Sequence, residues 1–161
     1  MSACAASAPR LLNGDADVVL SSLTHDSRQV RVGSLFCCIR GEKFDGHDFA
    51  AAAVERGAVA LLVQHEISNI PVSIPQIIVE DPRACIGFAA TELYGNPSRH
   101  LSLVGITGTN GKTTTAHLLA SIMKASGMQT EVIGTLSGSF TTPEAPDLQR
   151  SFSEMVAHGT R

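Results

Sequence analysis

Gly105-Ile106-Thr107-Gly108-Thr109-Asn110-Gly111-Lys112-Thr113-Thr114 is the stretch whose reading decides the fold. It continues the apolar run Leu101 to Ile106, which reads as a buried strand, and it opens a helix from Lys112 to about Ser126 that Gly127 stops. A glycine-rich turn between strand and helix aims several backbone N–H groups at one spot, and the helix amino end adds partial positive charge. Such a spot suits a polyphosphate. Lys112 reaches the outer phosphates, and the Thr113 hydroxyl ligates the Mg²⁺ that travels with them. Ile106 stands five residues before Gly111, where GxxxxGK[ST] has glycine. The strand-before, helix-after context still argues against a chance turn, as does the rarity of lysine, of which the chain has three.

Working outward, Ala116, Leu119, Ala120 and Met123 repeat at helical spacing and pack the loop helix on a sheet. Thr130 to Gly134 reads as the next strand, and Asp147 to His158 as a last helix with Leu148, Phe152, Met155 and Val156 on one face. Upstream, strands are expected at Val18 to Leu23, Leu35 to Ile39, Ala58 to Val63 and Ile77 to Val79. Asp48 caps a helix from about Phe49 to Arg56 that Gly57 ends, and Asp81-Pro82 starts another that runs to Gly95. Alternation of strand and helix makes this an α/β protein. Gly95-Asn96-Pro97-Ser98 is the best linker, so the expected organisation is a disordered or extended stretch over 1–20, one domain over 21–97 and a second over 98–161.

Composition narrows the function classes. With 161 residues, 43% hydrophobic and 17% charged, the chain is globular rather than disordered. Its net charge of −3, without a basic run, removes the electrostatic footprint of a nucleic-acid binder. Apolar runs such as Val59 to Val63 are too short to span a membrane, and MSACAASAPRLL lacks the pattern of a secretory signal. A cytoplasmic protein is expected. Cys4, Cys37, Cys38 and Cys85 form no CxxC pair and read as small hydrophobes in a reducing compartment. No HxxxH or HxH pair supports a metal centre.

The string TGTNGKTTT, residues 107–115, resembles the phosphate loop of the Mur ligase family, whose members lack the first glycine in the same way. His25-Asp26-Ser27-Arg28, then Gly33-Ser34-Leu35-Phe36, then Gly41-Glu42-Lys43-Phe44-Asp45-Gly46-His47-Asp48-Phe49 are similar to the UDP-binding amino-terminal domain of its members that add a third amino acid or a terminal dipeptide. Thr141-Thr142-Pro143-Glu144 with Asp147-Leu148-Gln149 resembles the branch that adds the third, diamino residue.

That resemblance implies a small UDP-binding α/β domain followed by the truncated start of a P-loop central domain, the carboxy-terminal domain being absent. It implies that Gly108, Thr109, Asn110, Gly111, Lys112, Thr113 and Thr114 hold ATP, with Lys112 catalytic and Thr113 on Mg²⁺. It further implies that Ser27, Thr141 and Thr142 bind UDP-N-acetylmuramoyl-L-Ala-D-Glu. The implied activity is ATP-dependent amide formation with a diamino acid in peptidoglycan synthesis, by a monomer, in a chain that is itself an inactive fragment. A dipeptide-adding ligase and a non-catalytic module that captures nucleotide or UDP-sugar are the alternatives. Without the resemblance, Asp26-Ser27-Arg28 is a turn with a surface ion pair, Asp45-Gly46-His47 a tight turn before a capped helix, and His117 a partly exposed helix residue.

Overall fold

The computed structural model describes residues 9–13, 17–134 and 143–160. The chain divides into two compact units between Leu93 and Tyr94. In the first, β2 (Ser22–Thr24), β3 (Ser34–Cys37), β4 (Ala58–Val63) and β5 (Gln76–Ile78) lie side by side in parallel, and β1 (Arg10–Leu12) pairs antiparallel with β5. The order is β1-β5-β4-β3-β2. Arg10–Leu12 thus adds an edge strand to the sheet, where the sequence reading expected no strand before Val18.

Parallel sheets are covered on both faces, which is why β4 reads as an unbroken apolar run. Leu61 and Val63 point to one face, where Phe36, Val30 and Ile70 join Ala50 and Ala53 of α1 (Ala50–Glu55). Alternation sends Leu35, Cys37 and Leu62 to the opposite face. There α2 (Pro82–Leu93), packed on β2, buries Cys85, Ile86 and Ala90. Phe36 is wholly buried, and its removal from water contributes about 1.5–3 kcal/mol. Cys37 and Cys38 are buried as small hydrophobes; desolvation raises both thiols, that of Cys38 to about 12.

Several boundaries differ from the sequence expectation, two of them for a clear physical reason. The strand expected from Val18 is β2 and starts at Ser22, because its partner β3 begins at Ser34, and Val19 stays 86% exposed. Asp45, not Asp48, caps the next helical segment: its Oδ1 accepts the His47 N–H at 3.0 Å at the start of a 3₁₀ turn, Gly46–Phe49, that leads into α1. Packing decides this. A Cβ on Gly46 would lie 2.5 Å from the Ile39 nitrogen, so the chain turns there on the one residue that fits. The Asp81 cap forms as expected, its Oδ1 accepting the Ala84 N–H at 3.1 Å.

The second unit contains α3 (Lys112–Ala125), α4 (Ala145–Ala157) and a 3₁₀ turn, Pro97–His100, packed against α4. Neither Leu101–Ile106 nor Thr130–Gly134 forms a strand, contrary to the sequence reading. A strand exists only as part of a continuous ladder, and among the described residues these segments build none. Leu103 and Val104 remain 53% and 59% exposed. A cavity of about 480 Å³ lies between these segments, α3 and α4, lined by Val104, Ile106, Leu119, Met123 and Phe152 among others. Among the described residues of this unit only Pro97, Ala120, Pro146 and Thr160 are buried, so its core is thin.

Candidate functional site

The residues expected to form the phosphate loop come together at the amino end of α3. Gly108 has φ +144° and Gly111 φ +79°, conformations that side-chain-bearing residues adopt at a cost. Gly111 is also the N-cap and has no side chain to occupy the amides of the first turn, so they point outward with the helix dipole behind them. Thr109, Asn110, Thr113 and Thr114 are exposed around this point. The Lys112 ammonium folds back over the loop, donating to the Gly108 carbonyl at 2.6 Å, and among the described residues it makes no ion pair. A cation held above a turn of backbone amides has the donor set that a polyphosphate needs, and Thr113 adds the oxygen that a hard cation such as Mg²⁺ takes.

Ser27 belongs to the first unit and lies in a 3₁₀ turn, Ser27–Gln29, just past the carboxyl end of β2. Asp26 caps this turn, its Oδ1 accepting the Arg28 N–H at 2.9 Å, and it also takes the Arg28 guanidinium in a fork. In the fork Nε lies 2.9 Å from Oδ1 and Nη2 lies 2.7 Å from Oδ2. Hydrogen bonding from Arg28 holds the Asp26 carboxyl at about 2, against burial, which pushes the other way. The surface ion pair of the plain reading is therefore present, and it fixes the backbone that carries Ser27.

A second tie escaped the sequence. Arg56, 29 residues on, donates through Nη1 to the Ser27 carbonyl at 2.7 Å. Only the return of the chain after α1 brings the two together, so no local spacing signals it. Thr141 and Thr142 lie outside the described residues; Pro143 and Glu144, which follow them, lead into α4 with Glu144 at its N-cap. His117 is exposed on α3. Among the described residues no three of His, Cys, Asp and Glu gather as a metal site, and no helix is long and apolar enough to cross a membrane.

Comparison with known proteins gives two family matches in chain order: "Mur ligase family, catalytic domain" over residues 19–94 and "Mur ligase middle domain" over residues 106–161. The chain is 43% identical to the UDP-N-acetylmuramoyl-L-alanyl-D-glutamate–2,6-diaminopimelate ligase of Geobacillus thermodenitrificans, over 91% of this chain and 31% of that protein. It is 41% identical to the ligase of the same name from Geobacter metallireducens, over 95% of this chain and 32% of that protein. It thus spans about a third of the length of these relatives.

Among solved structures, one of a ligase with that name shares 25% identity and a TM-score of 0.68, over 88% of this chain and 30% of that one. MurF from Acinetobacter baumannii gives 31% identity and a TM-score of 0.55, over 66% of this chain and 22% of that one. MurF ligase from Thermotoga maritima, solved in complex with ADP, gives 28% and 0.50 over 69% of this chain and 25% of that one.

Proposed function

Because this chain belongs to the Mur ligase family, we propose that it supplies the UDP-substrate-binding domain and the start of the ATP-binding domain of an ATP-dependent amide ligase. The proposed reaction adds a diamino acid to UDP-N-acetylmuramoyl-L-Ala-D-Glu in peptidoglycan precursor synthesis. The observation that carries this reading is the turn from Gly108 to the start of α3, with Lys112 folded over it, in a chain about 40% identical to diaminopimelate-adding ligases. Residues 21–97 are assigned to the UDP-substrate and 98–161 to ATP.

In the proposed chemistry the D-glutamate carboxylate oxygen attacks the γ-phosphorus of ATP, and the bond to ADP breaks. The amine of the diamino acid then attacks the acyl carbon, phosphate leaves, and the nitrogen loses a proton. Phosphoryl transfer of this kind depends on position and charge neutralisation. Amides at Gly108 to Thr114 hold the phosphates, and the Lys112 ammonium, exchanging the Gly108 carbonyl for phosphate oxygens, offsets charge on the transferring group. The Thr113 hydroxyl would hold a Mg²⁺ ion, which would supply further neutralisation of the phosphates. Ser27 donates its hydroxyl to the uridine diphosphate portion, and Thr141 with Thr142 binds the muramoyl-dipeptide. The enzyme is assigned to the cytoplasm, where ATP and UDP-sugars are found, as a monomer.

A second reading, the dipeptide-adding branch, is supported by one observation: the chain is 31% identical to a solved Acinetobacter baumannii protein named as a D-alanyl-D-alanyl ligase. The two readings differ in the acceptor. Calorimetric titration of the 161 residues with UDP-N-acetylmuramoyl-dipeptide and with the corresponding tripeptide nucleotide separates them. Preference for the dipeptide is expected; preference for the tripeptide favours the second reading, and binding of neither removes both.

A further inference from the structure

The strongest unassigned feature is His47, a side chain 7% exposed that stands between two loops at the carboxyl ends of the parallel strands. Ligands of open α/β sheets bind in the crevice outside those ends. Four connections rise there: Ser27 after β2, the Arg40–Asp45 loop after β3, Gln64 after β4 and Asp81 after β5. A cavity of about 220 Å³ is lined there by Ile39, Arg40, Gln64, Asp81 and Arg83 among others.

The Arg40–Asp45 loop is closed at its base by a bridge between its two ends and by the Gly41 N–H donating to the Phe44 carbonyl at 2.9 Å. Arg40 to Phe44 are exposed, with the Phe44 ring edge-on to Phe49 and the Gly46 N–H donating to the Ile39 carbonyl at 3.0 Å. His47 adds the tie to β4, through both ring nitrogens. Nε2 accepts the Gln64 N–H at 3.0 Å, which leaves the ring proton on Nδ1, and Nδ1 lies 2.6 Å from Asp45 Oδ1. One imidazole therefore joins the end of the loop to the end of β4. His65 stacks on it, ring centroids 4.3 Å apart, and the Asp45 carboxyl is held below its usual range chiefly by the His47 backbone and side-chain donors.

We propose that His47 is a positioning residue for the UDP-substrate, pinning the Arg40–Asp45 loop to β4 so that the loop forms one wall of the crevice beside Ser27. This rests on the assignment of the first unit to that substrate. His47 does not itself touch the ligand; it acts through the loop.

Two substitutions separate its bonds. His47→Asn keeps a donor near the Nδ1 position for Asp45 but has no acceptor that reaches Gln64, whereas His47→Gln places an amide oxygen near the Nε2 position. The whole 161-residue chain, labelled with ¹⁵N, is titrated with UDP-N-acetylmuramoyl-L-alanyl-D-glutamate and separately with ATP·Mg²⁺. We expect His47→Asn to weaken the UDP-dipeptide by about 5–10-fold and His47→Gln to restore it to within about twofold of wild type. Amides of residues 41–45 should exchange faster in His47→Asn, and ATP affinity should be the same in all three. A folded His47→Asn that binds the UDP-dipeptide as wild type does overturns the proposal. So does His47→Gln as weak as His47→Asn, or a parallel loss of ATP affinity. Wild type that fails to bind the UDP-dipeptide at all overturns the functional assignment and this role with it, a result distinct from a loss confined to the variants.

Discussion

Gln76 clamps the backbone of Ile67 from both sides: its Oε1 accepts the Ile67 N–H at 2.9 Å and its Nε2 donates to the Ile67 carbonyl at 2.9 Å. Gln76 is 1% exposed, in a strand whose neighbours are apolar. The crossover from β4 to β5 contains no helix, so its peptide groups lack the usual internal partners, and this side chain supplies two of them. Gln76→Leu is therefore expected to lower stability by about 1–3 kcal/mol with the sheet retained, because two backbone groups lose their partners. Urea denaturation followed by circular dichroism measures it. A change below about 0.5 kcal/mol, the scale of an ordinary surface substitution, would remove the clamp from the account.

Lys112→Ala should cost about 10–100-fold in affinity for ATP·Mg²⁺, the worth of a charge-assisted contact to phosphate. Among the described residues the Lys112 ammonium bonds to the loop it covers, so the substitution leaves the packing of α3 unchanged. Calorimetry on both proteins, with circular dichroism confirming the fold, decides the point. Equal affinities would contradict the site.

The Asp26 carboxyl should titrate at about 2, and in Arg28→Ala its midpoint should rise toward the ordinary 3.8. A carboxyl held low in the folded state adds stability that is present above its unfolded pKa and is lost as pH falls through its folded pKa. The contribution of this pair is therefore intact at neutral pH and fades between about 4 and about 2. Carbon-detected titration of the side chain measures both midpoints; an unchanged midpoint in the variant would show that Arg28 is not the cause.

Amides of Leu101–Ile106 should exchange with solvent far faster than those of β4, since the former lie in no ladder and β4 is hydrogen-bonded on both sides. Protection equal to that of β4 would mean that the second unit holds a sheet after all.

Phosphate release from ATP, UDP-N-acetylmuramoyl-dipeptide and either meso-diaminopimelate or lysine should be undetectable with these 161 residues alone. The chain spans 31% of a relative named as a ligase, and placing the amine accounts for up to roughly 7–11 kcal/mol of the barrier in well-oriented reactions. Turnover near the median of roughly 10 s⁻¹ would show that the sites described suffice.

Local chemistry wrote much of this molecule into its sequence. The apolar run Ala58–Val63 is a strand at those bounds, Asp81-Pro82 starts α2, and α3 begins at Lys112, because burial pattern, cap and glycine act within a few residues of one another. The glycine turn that leads into α3 was legible for the same reason: Gly108 and Gly111 set its backbone within a few residues. What only the tertiary structure decided involves partners far apart in the chain. Gly46 against Ile39 moved a helix cap from Asp48 to Asp45, Arg56 found the Ser27 carbonyl, and His47 found Gln64. Leu101–Ile106 has the composition of a strand but forms none, because a strand is made by its neighbour's hydrogen bonds and no single segment supplies those.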